Sequence, residues 1–194
     1  MFVSIPSILP EKEVGIARIE HFDVARSFWS DREGVRPGRY ARLYVGAMLM
    51  MSDTDMEHRT NWEVARRAHG RVLIAGLGIG LILTAILDKP EVTSVTVVEK
   101  HADVIALVGP YYEHPKLTIV CGDIFDWKPV KGTQYDVIYF DIWPDLSTDI
   151  LGEMATLHRR FARCLDRDNP NCWMDSWCKG ELRAQRRRDR YKGW

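Results

Sequence analysis

Three glycines within five residues, Gly76, Gly78 and Gly80, constrain this sequence more than any other feature. A nearly continuous apolar run at 71–75 precedes them and is typical of a strand buried on both faces of a sheet. A helical stretch at 81–87 follows. Glycines between a strand and a helix allow a sharp turn and let a ligand approach without interference from Cβ atoms. The sequence therefore predicts a ligand-binding loop at this position.

After residue 70 the chain alternates short β-rich runs with helical stretches, a pattern that predicts parallel strands connected by helices. The predicted helices cover 81–87, 101–108 and 151–165, and a loop is expected at 123–134. The predicted strands cover 71–75, 95–99, 117–121, 135–141 and 172–177. The expected fold class is α/β, with a Rossmann-like, mostly parallel sheet of about five strands and flanking helices. We expect this sheet to be minimal, or its edge to be completed by a partner.

The first 70 residues have a different pattern. Strand-like runs at 14–20 and 40–51 predict a small N-terminal antiparallel β element that precedes the sheet. N-cap candidates at 52–55 predict a single helix from there to Ala68, which would end at Gly70. We therefore divide the chain into a β-hairpin region, a Rossmann-like ligand-binding domain and a basic tail, which cover 1–52, 53–178 and 179–194.

The charge of the whole chain is balanced, because 27 Lys and Arg residues face 27 Asp and Glu residues. This balance predicts no general affinity for nucleic acid or anionic lipid, so only a local patch could bind phosphates. The tail at 179–194 is the one such patch, with seven basic residues against two acidic ones. A solvated helix or a frayed end is the alternative interpretation of this tail.

The remaining composition is that of an ordinary globular protein, with 46% hydrophobic and 28% charged residues. The N-terminus does not have the pattern of a signal peptide, and the apolar run at 72–87 is too short and too glycine-rich for a membrane span. We expect a cytoplasmic protein with no membrane partner, with homodimerisation possible. No metal is expected, and the four cysteines are predicted to be free thiols: Cys121, Cys164, Cys172 and Cys178.

Spacing excludes two other nucleotide-binding loops. The dinucleotide fingerprint is G-x-G-x-x-G, but the position of its third glycine is Leu81 here, because Gly80 comes one residue early. No Gly-Lys-Ser/Thr sequence follows, which excludes a Walker loop. The ligand of this loop is therefore expected to be neither a dinucleotide nor a nucleoside triphosphate.

Acidic residues end the strands that should neighbour this loop. Glu99 ends the second strand, 19 residues after Gly80, where it can accept hydrogen bonds from both hydroxyls of a ribose. Asp123 follows the third strand, where it can accept from an adenine amino group, with Ile124 beside the ring. A solvated strand-end glutamate and a plain turn-forming Gly-Asp pair are the structural alternatives.

A further group of polar and aromatic residues follows the fourth strand. Asp141 should face the reactive end of a bound cofactor, and Asp141 or Asp145 could receive a proton from an acceptor. Trp143 could stack on an aromatic acceptor, although a core tryptophan is an equally good interpretation. The segment is not the Asn/Asp-Pro-Pro-Tyr motif of amino-methylating DNA enzymes, so a nucleic-acid substrate is possible but not favoured.

Together, the glycine loop and the strand-end acids resemble the class I S-adenosylmethionine-dependent methyltransferase superfamily. The nearest branch resembles the polyamine (spermidine) synthases, with the cofactor resemblance over 71–145 and a weaker one over 46–70. The resemblance implies S-adenosylmethionine as the cofactor and Asp141 as the acceptor of an amine proton. The cofactor-binding residues that it implies are Gly76, Leu77, Gly78, Gly80, Glu99, Asp123, Ile124 and Asp141.

Three departures from that branch rank methyl transfer, to a small-molecule or macromolecular acceptor, above aminopropyl transfer. Ile79 replaces the loop aspartate that pairs with the aminopropyl ammonium in polyamine synthases. Arg59 and Thr60 replace a Tyr-Gln pair, which puts a cation where a diamine would be repelled. The segment 141–145 replaces an Asp-Ser-x-Asp-Pro motif. A non-catalytic cofactor-binding protein is the third hypothesis.

Two acids of the predicted first helix point toward this site only by family analogy. Asp55 and Glu57 also have a simpler interpretation, because acidic residues in the first turn favour the helix dipole.

Overall fold

The structure, a computed structural model, describes residues 2–192, apart from the side chains of residues 29, 31, 33, 191 and 192. This part of the chain contains nine strands and seven helices. The strands are β1 (Lys12–Val14), β2 (Ala17–Val24), β3 (Gly38–Val45), β4 (Met48–Ser52), β5 (Gly70–Ala75), β6 (Val92–Glu99), β7 (Leu117–Cys121), β8 (Val137–Phe140) and β9 (Trp173–Ser176). The helices are α1 (Phe28–Glu33), α2 (Asp55–Thr60), α3 (Trp62–Arg67), α4 (Leu81–Ile86), α5 (Ala102–Val108), α6 (Leu151–Phe161) and α7 (Lys179–Lys192).

Five parallel strands form the central sheet, in the order β7-β6-β5-β8-β9. β5 lies in the middle, where Val72 pairs with Val95 of β6 and with Val137 of β8. The chain builds outward from β5 to β7 and then returns to the other side of β5, so the order reverses between β5 and β8. The predicted fold class is confirmed, and the sheet is parallel throughout.

Both faces of this sheet are covered, which explains why its central strand is apolar at successive positions. Val72 and Ile74 of β5 point into a core with α3, α4 and α5, together with the N-terminal element. Leu73 and Ala75 point to the opposite face and pack with α6 and α7. Successive residues of a strand face opposite sides, so a strand covered on both sides needs no polar alternation.

The N-terminal element is a four-stranded antiparallel sheet in the order β1-β2-β3-β4. Its inner residues, such as Ile19 and Leu43, belong to the same core as β5. The segment 40–51, predicted as one strand-like run, is two strands joined by a turn at Gly46, whose φ of 59° is left-handed. The element is therefore larger than the sequence predicted and shares its core with the parallel sheet.

The helix predicted to run from 52–55 to Ala68 is interrupted. Asn61 ends α2 and begins α3, with φ of −96° and ψ of 0°, and its side chain is fully buried. A break at this residue turns the chain between two short helices, which an apolar periodicity alone does not reveal. Gly70, expected to end the helix, is instead the first residue of β5, with φ of 58°.

The basic tail folds as α7, which packs against α6 through Leu182; residues 193 and 194 lie outside the described part. The other boundaries differ by a few residues: β6 begins earlier than predicted, and α6 ends at Phe161 rather than at residue 165. Among the helices of the described residues, none combines the length and apolar character that crossing a bilayer requires.

Candidate active site

A cavity of about 340 Å³ opens at the carboxyl ends of the parallel strands, where the strand order reverses. Its size lies within the usual range of ligand pockets, roughly 300–1,000 Å³. The glycine loop, the ends of β6 to β9, the β3–β4 hairpin and α2 all contribute to its wall. Most of the predicted site residues line it, namely Gly76, Leu77, Gly78, Glu99, Asp123, Ile124, Asp141 and Trp143.

The backbone of the glycine loop passes close to two neighbouring elements. Gly76 has φ of 96°, and a Cβ atom there would collide with the backbone carbonyl oxygen of Asp141. Gly78 has φ of 52°, and a Cβ atom there would collide with the Sδ atom of Met51 in β4. Both residues must therefore be glycine for packing as well as for conformation, and the loop is held against β8 and the hairpin.

The last part of the loop has a packing role. Gly80 lies outside the cavity lining and begins α4 with φ of 72°, against the ring of Tyr112. The Tyr112 hydroxyl donates to the carbonyl oxygen of Ile79 at 2.7 Å. The Ile79 side chain is fully buried in the core and does not line the cavity. Ile79 therefore presents neither a charge nor an apolar surface to a ligand. Tyr112 supports the loop, a role that the sequence did not indicate.

Glu99 holds the glycine loop in place. One carboxylate oxygen accepts from the backbone N–H of Leu77 at 2.8 Å, and the other accepts from the N–H of His101 at 2.8 Å. The residue is buried, yet it lines the cavity. Each carboxylate oxygen can accept a second hydrogen bond, so the same group can still receive the two hydroxyls of a ribose. The structure thus gives Glu99 a supporting role in addition to the predicted one.

Asp123 also has protein partners on both oxygens. Its Oδ1 accepts from the N–H of Phe125 at 2.9 Å, and its Oδ2 pairs with the Nζ of Lys100 at 3.0 Å. The hydrogen bond from Phe125 and then the Lys100 ammonium lower the pKa of Asp123. Ile124, beside it, is buried and forms part of the apolar wall.

Asp141 and Glu57 differ from these two acids. In the described part of the chain, no side-chain donor pairs with either carboxyl group. Burial raises the pKa of Asp141 to about 7. Burial and the negative charge of Asp141 raise the pKa of Glu57 to about 8, and only the backbone N–H of Ser52 opposes that rise. The cavity therefore holds two acidic groups that protein contacts do not neutralise.

The sequence did not identify Glu57 as a member of the site. Glu57 lies on α2, and the packing of α2 against the end of β8 brings its carboxyl group to the cavity. The neighbouring acid Asp55 has another role, because its two oxygens accept from the backbone N–H and the Nε of Arg36 at 2.8 and 2.7 Å. The family analogy and the position in the first turn of the helix were the only sequence signals for either residue.

Two indole rings line the same side of the cavity. The Nε1 of Trp143 donates to Glu153 at 2.8 Å, and the Nε1 of Trp177 donates to the hydroxyl of Thr60 at 3.0 Å. Both rings are buried, so they form a fixed wall. Trp143 thus lies at the cavity as predicted and is also a core residue. Trp177 was not predicted to take part.

Two residues named from the sequence lie elsewhere. Asp145 is exposed and does not line the cavity, so the structure gives no support to its predicted role as a proton acceptor. Arg59 is also exposed, and its guanidinium donates to the carbonyl oxygen of Gly34 at 3.4 Å. The expectation of a cation at the acceptor position is therefore wrong, because the side chain leaves α2 on the side away from the cavity.

No protein-family model matches the chain. Among curated proteins, it is 30% identical over 142 residues to polyamine aminopropyltransferase 2 of Ralstonia nicotianae, which covers 65% of this chain and 27% of that protein. It is 29% identical over 130 residues to the polyamine aminopropyltransferase of Leptospira interrogans, which covers 59% of this chain and 26% of that protein. The chain spans about a quarter of the length of these relatives.

Solved structures show the same fold. Spermidine synthase from Thermotoga maritima matches 80% of this chain and 53% of its own, with 17% identity and a TM-score of 0.51. A spermidine synthase in complex with the transition-state analogue AdoDATO matches with 18% identity and a TM-score of 0.52, over 80% of this chain and 54% of its own. The chain resembles the polyamine synthase branch. The resemblance predicted from the loop and the strand-end acids is confirmed.

Proposed function

We propose that this chain is an S-adenosylmethionine-type transferase, which binds an adenosyl sulfonium cofactor and transfers an alkyl group from it to an amine. The observation that carries the proposal is the pair of acidic groups, Glu57 and Asp141, beside the glycine loop in one cavity. A nearby cation stabilises the ionised form of such carboxyl groups, so this cavity favours a cationic ligand over an anionic one. Both a sulfonium cofactor and a protonated amine meet that requirement.

The cavity residues fit such a cofactor. Gly76 and Gly78 line the cavity with their backbone, and Glu99 keeps free acceptor capacity for the ribose hydroxyls. Asp123 and Ile124 offer a carboxylate and an apolar side for an adenine. The cofactor supplies its own leaving group, because the sulfonium sulfur departs as a neutral thioether.

In the proposed reaction, the chain positions the amine and removes a proton from it. The carboxylate of Asp141 accepts a proton from the ammonium, which frees the nitrogen lone pair. The new N–C bond forms as the C–S bond breaks, and the proton stays on Asp141 until it is exchanged with solvent. Glu57, still protonated near neutral pH, keeps the pair from carrying two negative charges at once.

Of the two donors, decarboxylated S-adenosylmethionine is favoured, which would make the reaction aminopropyl transfer. The cavity lining contains five acidic residues but only Lys100 and His101 as basic ones, and Lys100 is paired with Asp123. A donor that keeps its carboxylate would meet this negative field, whereas the decarboxylated donor carries positive charge only. The argument from Arg59 loses its force, because Arg59 does not line the cavity, whereas Ile79 still leaves the loop without an acidic partner for the aminopropyl ammonium.

Methyl transfer is the second candidate. Its support is the segment 141–145, which differs from the Asp-Ser-x-Asp-Pro motif of polyamine synthases. If the acceptor is not a diamine, that motif is not required, and S-adenosylmethionine itself would be the donor.

Calorimetry with three ligands tests the proposal: S-adenosylmethionine, its decarboxylated form and NAD. We expect the decarboxylated form to bind most tightly and NAD not to bind. Turnover is then measured with a series of diamines and monoamines. Preference for S-adenosylmethionine would exchange the two candidates, whereas binding of NAD alone would overturn the proposal. Tight binding without turnover, unchanged by Asp141→Asn, would identify a non-catalytic cofactor-binding protein.

A further inference from the structure

Two groups of arginines in this chain have different partners. Six arginines on the N-terminal segment, on α3 and at the start of β5 form ion pairs with carboxylates, namely Arg18, Arg36, Arg42, Arg66, Arg67 and Arg71. A second group lies at the end of α6, in the turn after it and on α7. Among the described residues, no carboxylate oxygen lies within 4.0 Å, the limit for an ion pair, of a guanidinium nitrogen of this second group. The second group comprises Arg159, Arg163, Arg167, Arg183, Arg186, Arg187 and Arg190.

Four of the arginines on α7 share one side of the helix. Arg183, Arg186, Arg187 and Arg190 follow the spacing i, i+3, i+4, i+7, which places them within an arc of about 100° at 3.6 residues per turn. All four are exposed, whereas Leu182 beside them is buried against α6. The two acids of α7 lie outside this arc, and so does Arg188.

Three further arginines lie at the end of α6 and in the turn after it. Arg159, Arg163 and Arg167 line a shallow surface groove on the side of α6 opposite its buried residues. The two helices pack together, and their charges interact across the contact. Burial and then the positive charges of Lys179 and Arg183 lower the pKa of His158, next to Arg159, to about 4. We call the seven arginines defined above the arginine surface.

We propose that the arginine surface binds the phosphate backbone of a nucleic acid. Guanidinium groups match phosphate oxygens with two hydrogen bonds each, and arginines that have no carboxylate partner can make those bonds without breaking others. The overall charge of the chain is zero, so the attraction comes from this surface and not from the protein as a whole.

The same surface is poorly suited to other partners. Helices that lie on membranes need an apolar face, and none of the described residues on α6 or α7 is a large exposed hydrophobic one. A symmetric contact between two copies would place arginines against arginines, which is unfavourable. The proposal is independent of the reaction in the cavity, since the arginine surface does not line it.

Fluorescence anisotropy with a labelled 20-base-pair DNA duplex and a labelled 20-nucleotide RNA, between 50 and 250 mM salt, tests the proposal. We expect binding to weaken with salt, with a slope of log K against log salt of about −3.6 to −5.4 on the duplex, as for roughly four to six neutralised phosphates. The variant R183Q/R186Q/R187Q/R190Q should lose at least about tenfold in affinity and most of the slope. Glutamine keeps the helix propensity, and circular dichroism with thermal melting verifies the fold.

The matched control removes the same number of charges from ion-paired arginines, in R18Q/R42Q/R66Q/R67Q. Its affinity should change by less than about twofold, because those guanidinium groups are already engaged. Equal losses in both variants would overturn the proposal. So would binding to polyglutamate, or to vesicles of phosphatidylglycerol and phosphatidylcholine, as tight as binding to either nucleic acid. The Lys variant at the same four positions should keep the salt slope with weaker affinity, because lysine retains the charge but not the two-point contact.

Discussion

The two halves of the cavity use the same type of side chain in opposite ways. On the side of β6 and β7, Glu99 and Asp123 each have both carboxylate oxygens engaged by protein donors. On the side of β8 and α2, Asp141 and Glu57 have raised pKa values and no such side-chain partners. A carboxylate that is already satisfied can hold a backbone or a neutral hydroxyl in position. One that is unsatisfied has a proton affinity suited to chemistry near neutral pH.

This difference has a simple structural origin. The loops after β6 and β7 turn back over their own strand ends, which brings backbone N–H groups such as those of His101 and Phe125 to the acids. Asp141 is instead followed by a segment that leaves the sheet toward α6, and Glu57 comes from a helix outside the sheet. Proximity to local backbone N–H groups therefore accounts for the difference between the two halves of the cavity.

The largest expected effect is that of Asp141→Asn. Turnover should fall by about 100- to 10,000-fold, because the amide cannot accept the proton of the acceptor. Cofactor affinity should fall by a smaller factor, because the variant also removes an ionisable carboxyl group beside the sulfonium. In the unmodified protein, activity should rise as the pH passes about 7, where Asp141 loses its proton, and that limb should disappear in the variant. Steady-state rates across pH 5–9, together with calorimetry, measure both effects.

Asp145→Asn is the control for this variant. Asp145 carries the same group on the same segment but lies outside the cavity, so its replacement should alter turnover by less than about twofold. A large loss there, or an unchanged rate in Asp141→Asn, would break the distinction between the two acids.

Next in size is the effect of Glu57→Gln on stability. The native pKa of about 8 lies above the ordinary value of 4.5, so the folded state binds more protons between these two values. The free energy of unfolding of the unmodified protein therefore decreases as pH rises through this window. Glutamine cannot ionise, so the variant should be more stable than the unmodified protein by roughly 2–4 kcal/mol at pH 8.5, and by far less at pH 5.

Denaturant unfolding at both pH values provides the measurement, with Glu63→Gln as the control. Glu63 is exposed and its pKa is lowered to about 2 by hydrogen bonds from Arg66 and Arg67, so the stability it contributes is lost only as pH falls below about 4.5. The effect of its replacement should therefore be constant between pH 5 and 8.5. If the effect of Glu57→Gln on stability were also constant between pH 5 and 8.5, the Glu57 carboxyl group would not be in the buried environment described above.

A smaller effect is expected for Glu99→Ala on cofactor binding. Loss of the hydrogen bonds from the ribose and of the support under Leu77 should weaken affinity by about 1–3 kcal/mol. The cofactor affinity of Glu99→Gln should lie between those of the unmodified protein and of Glu99→Ala, because one amide oxygen can replace one carboxylate oxygen. Hydrogen exchange at the Leu77 amide should also become faster in the alanine variant. An unchanged dissociation constant would return Glu99 to a purely structural role.

Lys100→Met should have the smallest effect, below about 0.5 kcal/mol in cofactor affinity. The ion pair with Asp123 is largely exposed, and the N–H of Phe125 keeps the carboxylate in position without it. Calorimetry under the same conditions makes the comparison with Glu99→Ala direct. A tenfold loss of cofactor affinity would mean that Lys100 contacts the ligand itself. The side of the cavity at β6 and β7 would then also contain a charged group that is available to the ligand.

Sequence reasoning was most successful where function depends on the end of a single strand. The glycine loop, Glu99, Asp123 and Asp141 follow directly from apolar runs whose carboxyl ends must meet at one edge of a parallel sheet. It was wrong for Arg59, and it predicted for Asp145 a role that the structure does not support. In both cases the spacing identified the right segment, but the direction of a side chain on a short helix or a turn depends on packing. The break at Asn61, which changes how α2 and α3 lie, has no clear sequence signature.

The sequence by itself determined the parallel α/β sheet, its binding edge and the acids on that edge, because these depend on local periodicity and on residues adjacent to strands. Only the tertiary structure decided which acids lack partners that favour their ionised form, that Glu57 joins Asp141, and that four arginines of α7 stay exposed without a carboxylate partner. These properties depend on the burial of each group and on the donors that surround it, and both arise from contacts between segments that are distant in the chain.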